Sequence, residues 1–204
     1  MADHAILEKN RVSMLSTTAT EHHLPGVLNY GYPIYTTSDF PGYSNHCTPT
    51  AAVNVIWYWS HWGPVKRISL WTNDTDVFNK MRTYMGHTNT WGTPIGSISN
   101  GVKELAKNRG VKTPAVSQVG ISQGVEPLWN HYVSYINLDC IFEIGIYDPG
   151  GYGEHSIVGI GYTNYSGQNR FYRVFNGWDK SASIMYNFTT KNSTISVQSA
   201  IDWR

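Results

Sequence analysis

Charge is scarce in this sequence. Only 14% of its 204 residues are Asp, Glu, Lys or Arg, against roughly 25% in an average soluble protein. The net charge is +1 and no basic block occurs. A nucleic-acid partner is therefore not expected, because no cluster of cations exists to meet a phosphate backbone. Cysteine is nearly absent. Cys47 and Cys140 allow at most one bridge, which excludes a disulfide-stapled fold. Long apolar runs are missing too. The longest, Val53 to Trp59, is interrupted by Asn54 and falls well short of the ~18 residues of a membrane span. The first residues carry Asp3 and Glu8 and show no apolar core, so no signal peptide is expected in this chain. His22, His23, His46, His61, His87 and His131 show no ligand spacing with the cysteines. No metal or organic cofactor is expected.

What the sequence has is aromatic surface. Aromatics make up 14% of the chain, which argues for a packed core and against disorder. The length suits one domain. Residues 22–204 read as that domain, and residues 1–21 as an N-terminal segment, a linker or a propeptide remnant. Low charge with abundant Asn, Ser, Thr, Tyr and Trp suggests an exported bacterial protein. A monomer is the expected state.

The hydrophobic period changes halfway along the chain. Residues 48–60 place Ala51, Ala52, Val55, Ile56 and Trp59 at helical spacing, with Pro49 in the first turn and Gly63-Pro64 as a stop. A second helix is predicted over 74–85, capped by Asp74 or Thr75. A third spans 95–109, with Ile95, Ile98, Val102, Leu105 and Ala106 on its apolar face and Gly110 as its stop. A strand over 112–119 and a helix over 125–137 follow. From Cys140 the pattern alternates. Strands are predicted over 140–147, 155–162, 170–175, 183–188 and 194–198, separated by Gly, Asn and Ser turns. Helices first and an antiparallel sheet second imply an α+β fold.

Three features carry chemistry. Cys47 stands at the start of the first helix. Free N–H groups and the helix dipole there favour a thiolate and can hold an oxyanion. A lone cysteine is otherwise a buried, inert residue. His155 opens a strand after a glycine-rich run, Gly150-Gly-Tyr-Gly-Glu154, which would let backbone pass close to a bound peptide. Asn176-Gly177-Trp178 follows the next strand. An Asn there can bond an imidazole and set its tautomer, and an indole can keep that bond dry. Cys140 reads as a core thiol, and Trp57, Tyr58, Trp59 and Trp62 read mainly as packing. Glu154, next to His155, would point to the opposite face of its strand. Asp179 is an alternative partner for the ring.

The order Cys, His, Asn at 47, 155 and 176 resembles that of papain-like cysteine peptidases. The run Asn45-His-Cys-Thr-Pro-Thr-Ala-Ala-Val-Asn-Val-Ile-Trp-Tyr-Trp59 is similar to the nucleophile segment of the bacterial bacteriocin-leader-peptidase-like and streptopain-like families. His155-Ser-Ile-Val-Gly-Ile-Gly-Tyr162 and Phe175-Asn-Gly-Trp178 resemble the His strand and the Asn turn of the clan. The resemblance implies a papain-like fold, with a nucleophile-bearing central helix packed on an antiparallel sheet. It implies a peptide or protein substrate. Cys47 would be the nucleophile, His155 the base, Asn176 the ring orienter and Trp178 its cover. Two departures stand out. Thr48 replaces the usual Gly, and Pro41 occupies the place of an oxyanion-hole Gln, which leaves Asn45 as the nearest amide donor. An acyltransferase, deamidase or amidase would use the same Cys and His. A non-catalytic binding domain on a decayed scaffold would keep the fold alone.

Overall fold

The structure is a computed structural model that describes residues 19–29, 31–64, 68–148, 153–165 and 169–204. The central helix, α1 (Cys47–His61), is buried on nearly every side. The apolar stripe expected there is present. In addition Val53, Tyr58 and the polar residues Thr50 and Asn54 are buried, because α1 lies between the sheet and a second helical layer. Several of its buried polar atoms are matched, as burial favours, whereas Trp57 Nε1 and Ser60 Oγ meet no partner among the described residues. Asn54 clamps the backbone of Tyr35, accepting from its N–H (2.9 Å) and donating to its carbonyl (2.9 Å). The Tyr58 hydroxyl donates to the Asp139 carbonyl (2.9 Å), and Trp59 Nε1 donates to the Ile201 carbonyl (3.1 Å). The tryptophan–tyrosine run is thus largely packing. Trp57 stacks on His61, with ring centroids 3.6 Å apart, and Trp62 remains 40% exposed.

The second layer holds α2 (Asp74–Tyr84) and α3 (Ile98–Arg109). The cap of α2 is Asn73, whose side chain accepts from the Asp76 N–H, rather than Asp74 or Thr75. An extended Asn one residue earlier reaches the free N–H of the third helical residue, and Asp74 is already inside the helix. The third helix starts at Ile98, and Ile95 is 74% exposed. The apolar residue at 95 therefore belongs to a surface loop, not to the core face. Gly110 ends α3 at φ +66°, the left-handed position where a side chain would be strained. After α3 come β2 (Ala115–Gly120) and α4 (Val125–Ile136).

The sheet is completed by β3 (Ile141–Asp148), β4 (Gly153–Tyr165), β5 (Asn169–Phe175), β6 (Ile184–Asn187) and β7 (Ile195–Asp202), with a single helical turn, α5 (Phe188–Lys191), before β7. Its strand order is β2-β7-β3-β4-β5-β6, and every pairing is antiparallel. One strand is not legible in the hydrophobic pattern. β1 (Ala19–His23) runs across residue 21 and pairs with the far end of β4. It is mostly exposed, so it carries no apolar alternation. Gly161 lets it approach, since a Cβ there would sit 2.5 Å from the His22 carbonyl oxygen. The remainder of the N-terminal segment, residues 1–18, lies outside the described residues, as does most of the glycine-rich run before His155. No helix among the described residues is long and apolar enough to cross a membrane.

Candidate active site

Cys47 is the first residue of α1, and α1 packs on β3 and β4. That packing sets its thiol beside β4, near enough to the Ser156 backbone N–H for that dipole to favour the thiolate. Ser156 follows His155, so residues far apart in sequence meet at one point. Cys47 and His155 both line a cavity of about 550 Å³. Cys47 is half-buried, whereas Cys140 is fully buried, and neither forms a disulfide.

His155 is 7% exposed. Its Nε2 lies 2.6 Å from the main-chain carbonyl of Asn176. A carbonyl only accepts, so Nε2 carries the proton and Nδ1 keeps the lone pair. The indole of Trp178 lies flat on the imidazole, with centroids 4.0 Å apart and planes 13° from parallel. Asn176 thus meets the ring, but through its backbone and not through its amide. The amide closes a turn instead. Its Oδ1 accepts from the N–H groups of Trp178 and Asp179 (both 2.9 Å), and its Nδ2 donates to Asp179 Oδ2 (2.8 Å). The turn geometry decides this, because Asn side chains bond readily to backbone two or three residues on.

Asn45 is not a free oxyanion donor. It has φ +55°, and its Nδ2 donates to the carbonyl of Asn89 (2.9 Å), with that of Thr90 at 3.5 Å. The amide therefore holds the 89–90 loop at the rim of the cavity. Pro41 is exposed. The backbone N–H of Cys47 lies in the first turn of α1, where helix N–H groups have no partner within the helix.

The protonation states also differ from the helix-dipole expectation. Burial pushes the Cys47 thiol up. Bonds from the Ser156 N–H and from Thr48 oppose that, and the nearby Glu143 charge adds to it. Burial lowers the His155 imidazole to about 4, with the Asn176 carbonyl pulling the other way. A free thiolate would be desolvated here, which disfavours it. At neutral pH the pair rests as thiol and imidazole.

Glu143, on β3, is a site residue that sequence reasoning missed. It is 3% exposed, and burial raises its carboxyl to about 7 against the bonds from Ser156 and the influence of Ser199. Thr48 Oγ1 lies 2.7 Å from Ser156 Oγ, which donates to Glu143 Oε1 (2.9 Å). Thr48 ties the helix start to the carboxyl through this chain. One signal was available: a single acid inside the apolar run Ile141-Phe-Glu-Ile-Gly-Ile146 of a charge-poor sequence. Glu154 is exposed at the rim of the same cavity. No cluster of three metal-ligating side chains occurs among the described residues.

No family model matches the sequence, and no curated protein matches it. The fold is similar to that of the Amb a 11 cysteine protease, a major ragweed pollen allergen, in its proform. The TM-score is 0.51 at 13% identity, over 89% of this chain and 70% of that one. This likeness shows a papain-like α+β fold.

Proposed function

We propose that this chain is a thiol hydrolase that cleaves peptide bonds, with Cys47 as nucleophile and His155 as base. The observation that carries the reading is the meeting of the sulfur with β4 at Ser156, in a cavity that His155 also lines. The Asn176 carbonyl supports the role of His155, because it leaves Nδ1 as the proton acceptor. Cys47 attacks the substrate carbonyl carbon as Nδ1 takes the thiol proton. The Cys47 N–H receives the oxyanion. The imidazolium then gives the proton to the leaving amine, and a thioester remains. Water attacks the thioester with the imidazole again as base, and releases a carboxylic acid and the thiol. Trp178 covers the imidazole, and Asn176 is a positioning residue acting through its carbonyl. The narrower assignment to the bacteriocin-leader-peptidase-like or streptopain-like families goes with this reading and rests on the motif wording, and an exported location rests on the composition.

One observation favours a non-catalytic binder: the Asn45 amide is given over to the 89–90 loop where an oxyanion donor would be needed. Losing one such donor lowers rates on the order of 10²–10³-fold. A peptidyl epoxide separates the readings. The expected result is a covalent adduct on Cys47, none on Cys140, and loss of the adduct in His155→Ala. An intact thiol after prolonged exposure would leave only a binding domain. Plain iodoacetamide should also modify Cys47 ahead of Cys140, with a rate that climbs toward alkaline pH, since the thiol is raised.

A further inference from the structure

Glu143 has an oxygen that no described residue hydrogen-bonds. Its Oε1 receives the Ser156 hydroxyl, while Oε2 is buried and meets no donor among the described residues. The Ser199 hydroxyl, which accepts from Gln118 Nε2 (3.0 Å), stands near enough to influence the carboxyl but makes no hydrogen bond to Oε2. An unmatched buried acceptor is destabilising, and this one belongs to a residue lining the cavity beside Cys47. Gly145 lies two residues along β3, on the same face. A Cβ there would stand 3.4 Å from Val197 Cγ1 and 3.9 Å from Glu143 Oε1, so the glycine leaves the space over the carboxyl open. Pro94, Ile95, Ile146 and Val197 supply apolar lining to the cavity, and Glu154 adds a second carboxyl. No Lys or Arg lines it among the described residues. A channel with apolar walls, two acids and no cation fits a side chain with a methylene stem and a charged head.

From this arrangement we infer that the cavity is a specificity pocket for a cationic peptide side chain, lysine or arginine in class, whose head group is received by Glu143 Oε2. This deepens the proposed function and rests on it. The stem lies along Pro94, Ile95 and Val197, and Gly145 admits the head. A charge-assisted hydrogen bond replaces the unmatched acceptor.

The test is equilibrium binding to the full chain carrying Cys47→Ala, so that cleavage plays no part. Peptides differ by lysine or norleucine at one position and are measured at pH 8, above the carboxyl's value of about 7. The lysine peptide is expected to bind about 10- to 100-fold tighter at one position. Glu143→Gln should abolish that preference. Gly145→Val, which fills the channel and leaves the carboxyl in place, should bring the lysine peptide down to the norleucine level. Absence of binding, equal affinities, or a preference surviving both substitutions would overturn the pocket. Failure of the hydrolase reading shows separately, as wild-type protein that gains no epoxide adduct.

Discussion

Two polar clusters line the cavity beside Cys47, and burial acts on them in opposite senses. In one, the His155 imidazole is lowered to about 4, and in the other the Glu143 carboxyl is raised to about 7. Burial disfavours charge in both, which moves a base down and an acid up. The His155 cluster is set by main chain: a carbonyl fixes the tautomer and an indole covers the ring. The Glu143 cluster is set by side chains, Thr48 and Ser156, and leaves one oxygen without a donor among the described residues. The first arrangement suits proton transfer, and the second suits receiving a ligand.

The largest way to break this comparison is His155→Ala. Loss of the base should lower peptide hydrolysis on the order of 10⁶-fold, as for other nucleophile–base pairs. A fluorogenic peptide assay measures it, and a loss below about tenfold would remove His155 from the chemistry.

Next comes the pH dependence of stability. The folded His155 value of about 4 lies below its ordinary 6.5. The unfolded chain therefore binds more protons between those values, and stability falls as pH drops from 6.5 to 4. The folded Glu143 value of about 7 lies above its ordinary 4.5. There the folded chain binds more protons, and stability falls as pH rises from 4.5 to 7. Each effect is about 3 kcal/mol and they oppose each other. His131, also lowered to about 4, adds to the His155 slope. Glu143→Gln should therefore unmask a stability that climbs with pH between 4 and 6.5 in urea titrations. A pH slope unchanged from wild type would show that Glu143 titrates as an ordinary exposed acid.

Trp178→Ala should have a smaller effect. With the indole gone, the imidazole is wetter and its value rises from about 4 toward 6.5. The acid limb of the rate profile should move up by about one unit. An unmoved limb would mean that the indole does not desolvate the ring. Asn176→Ala should do least. It removes the turn bonds to residues 178 and 179 and leaves the carbonyl on His155. We expect about 1 kcal/mol less stability by thermal melting and a rate loss within about tenfold. A loss rivalling that of His155→Ala would put the amide, and not the carbonyl, on the ring.

Much of the architecture was legible in the sequence. The helices ending at His61, Tyr84 and Arg109, and the five strands from residue 141 onward, follow hydrophobic period and Gly, Pro and Asn punctuation. β1 was not legible, because an exposed edge segment is held by backbone pairing and carries no apolar pattern. Ile95 misled because a single apolar residue at helical spacing looks the same in a helix or in a loop beside a cavity. For the proposed site, the sequence offered Cys47, His155, Asn176 and Trp178 as candidates. The atom through which Asn176 acts, the engagement of the Asn45 amide and the place of Glu143 were not.

The sequence by itself determined that an α+β domain forms, that its first helix begins at a cysteine, and that a histidine and an asparagine–tryptophan turn lie on strands behind it. Those features come from local period and turn chemistry, which neighbours in the chain decide. Only the tertiary structure decided which of them touch, which proton sits where, and that an acid from β3 lies beneath the helix start. Contacts between distant segments and the loss of water around them set hydrogen bonds and protonation, and neither is a property of any short stretch of residues.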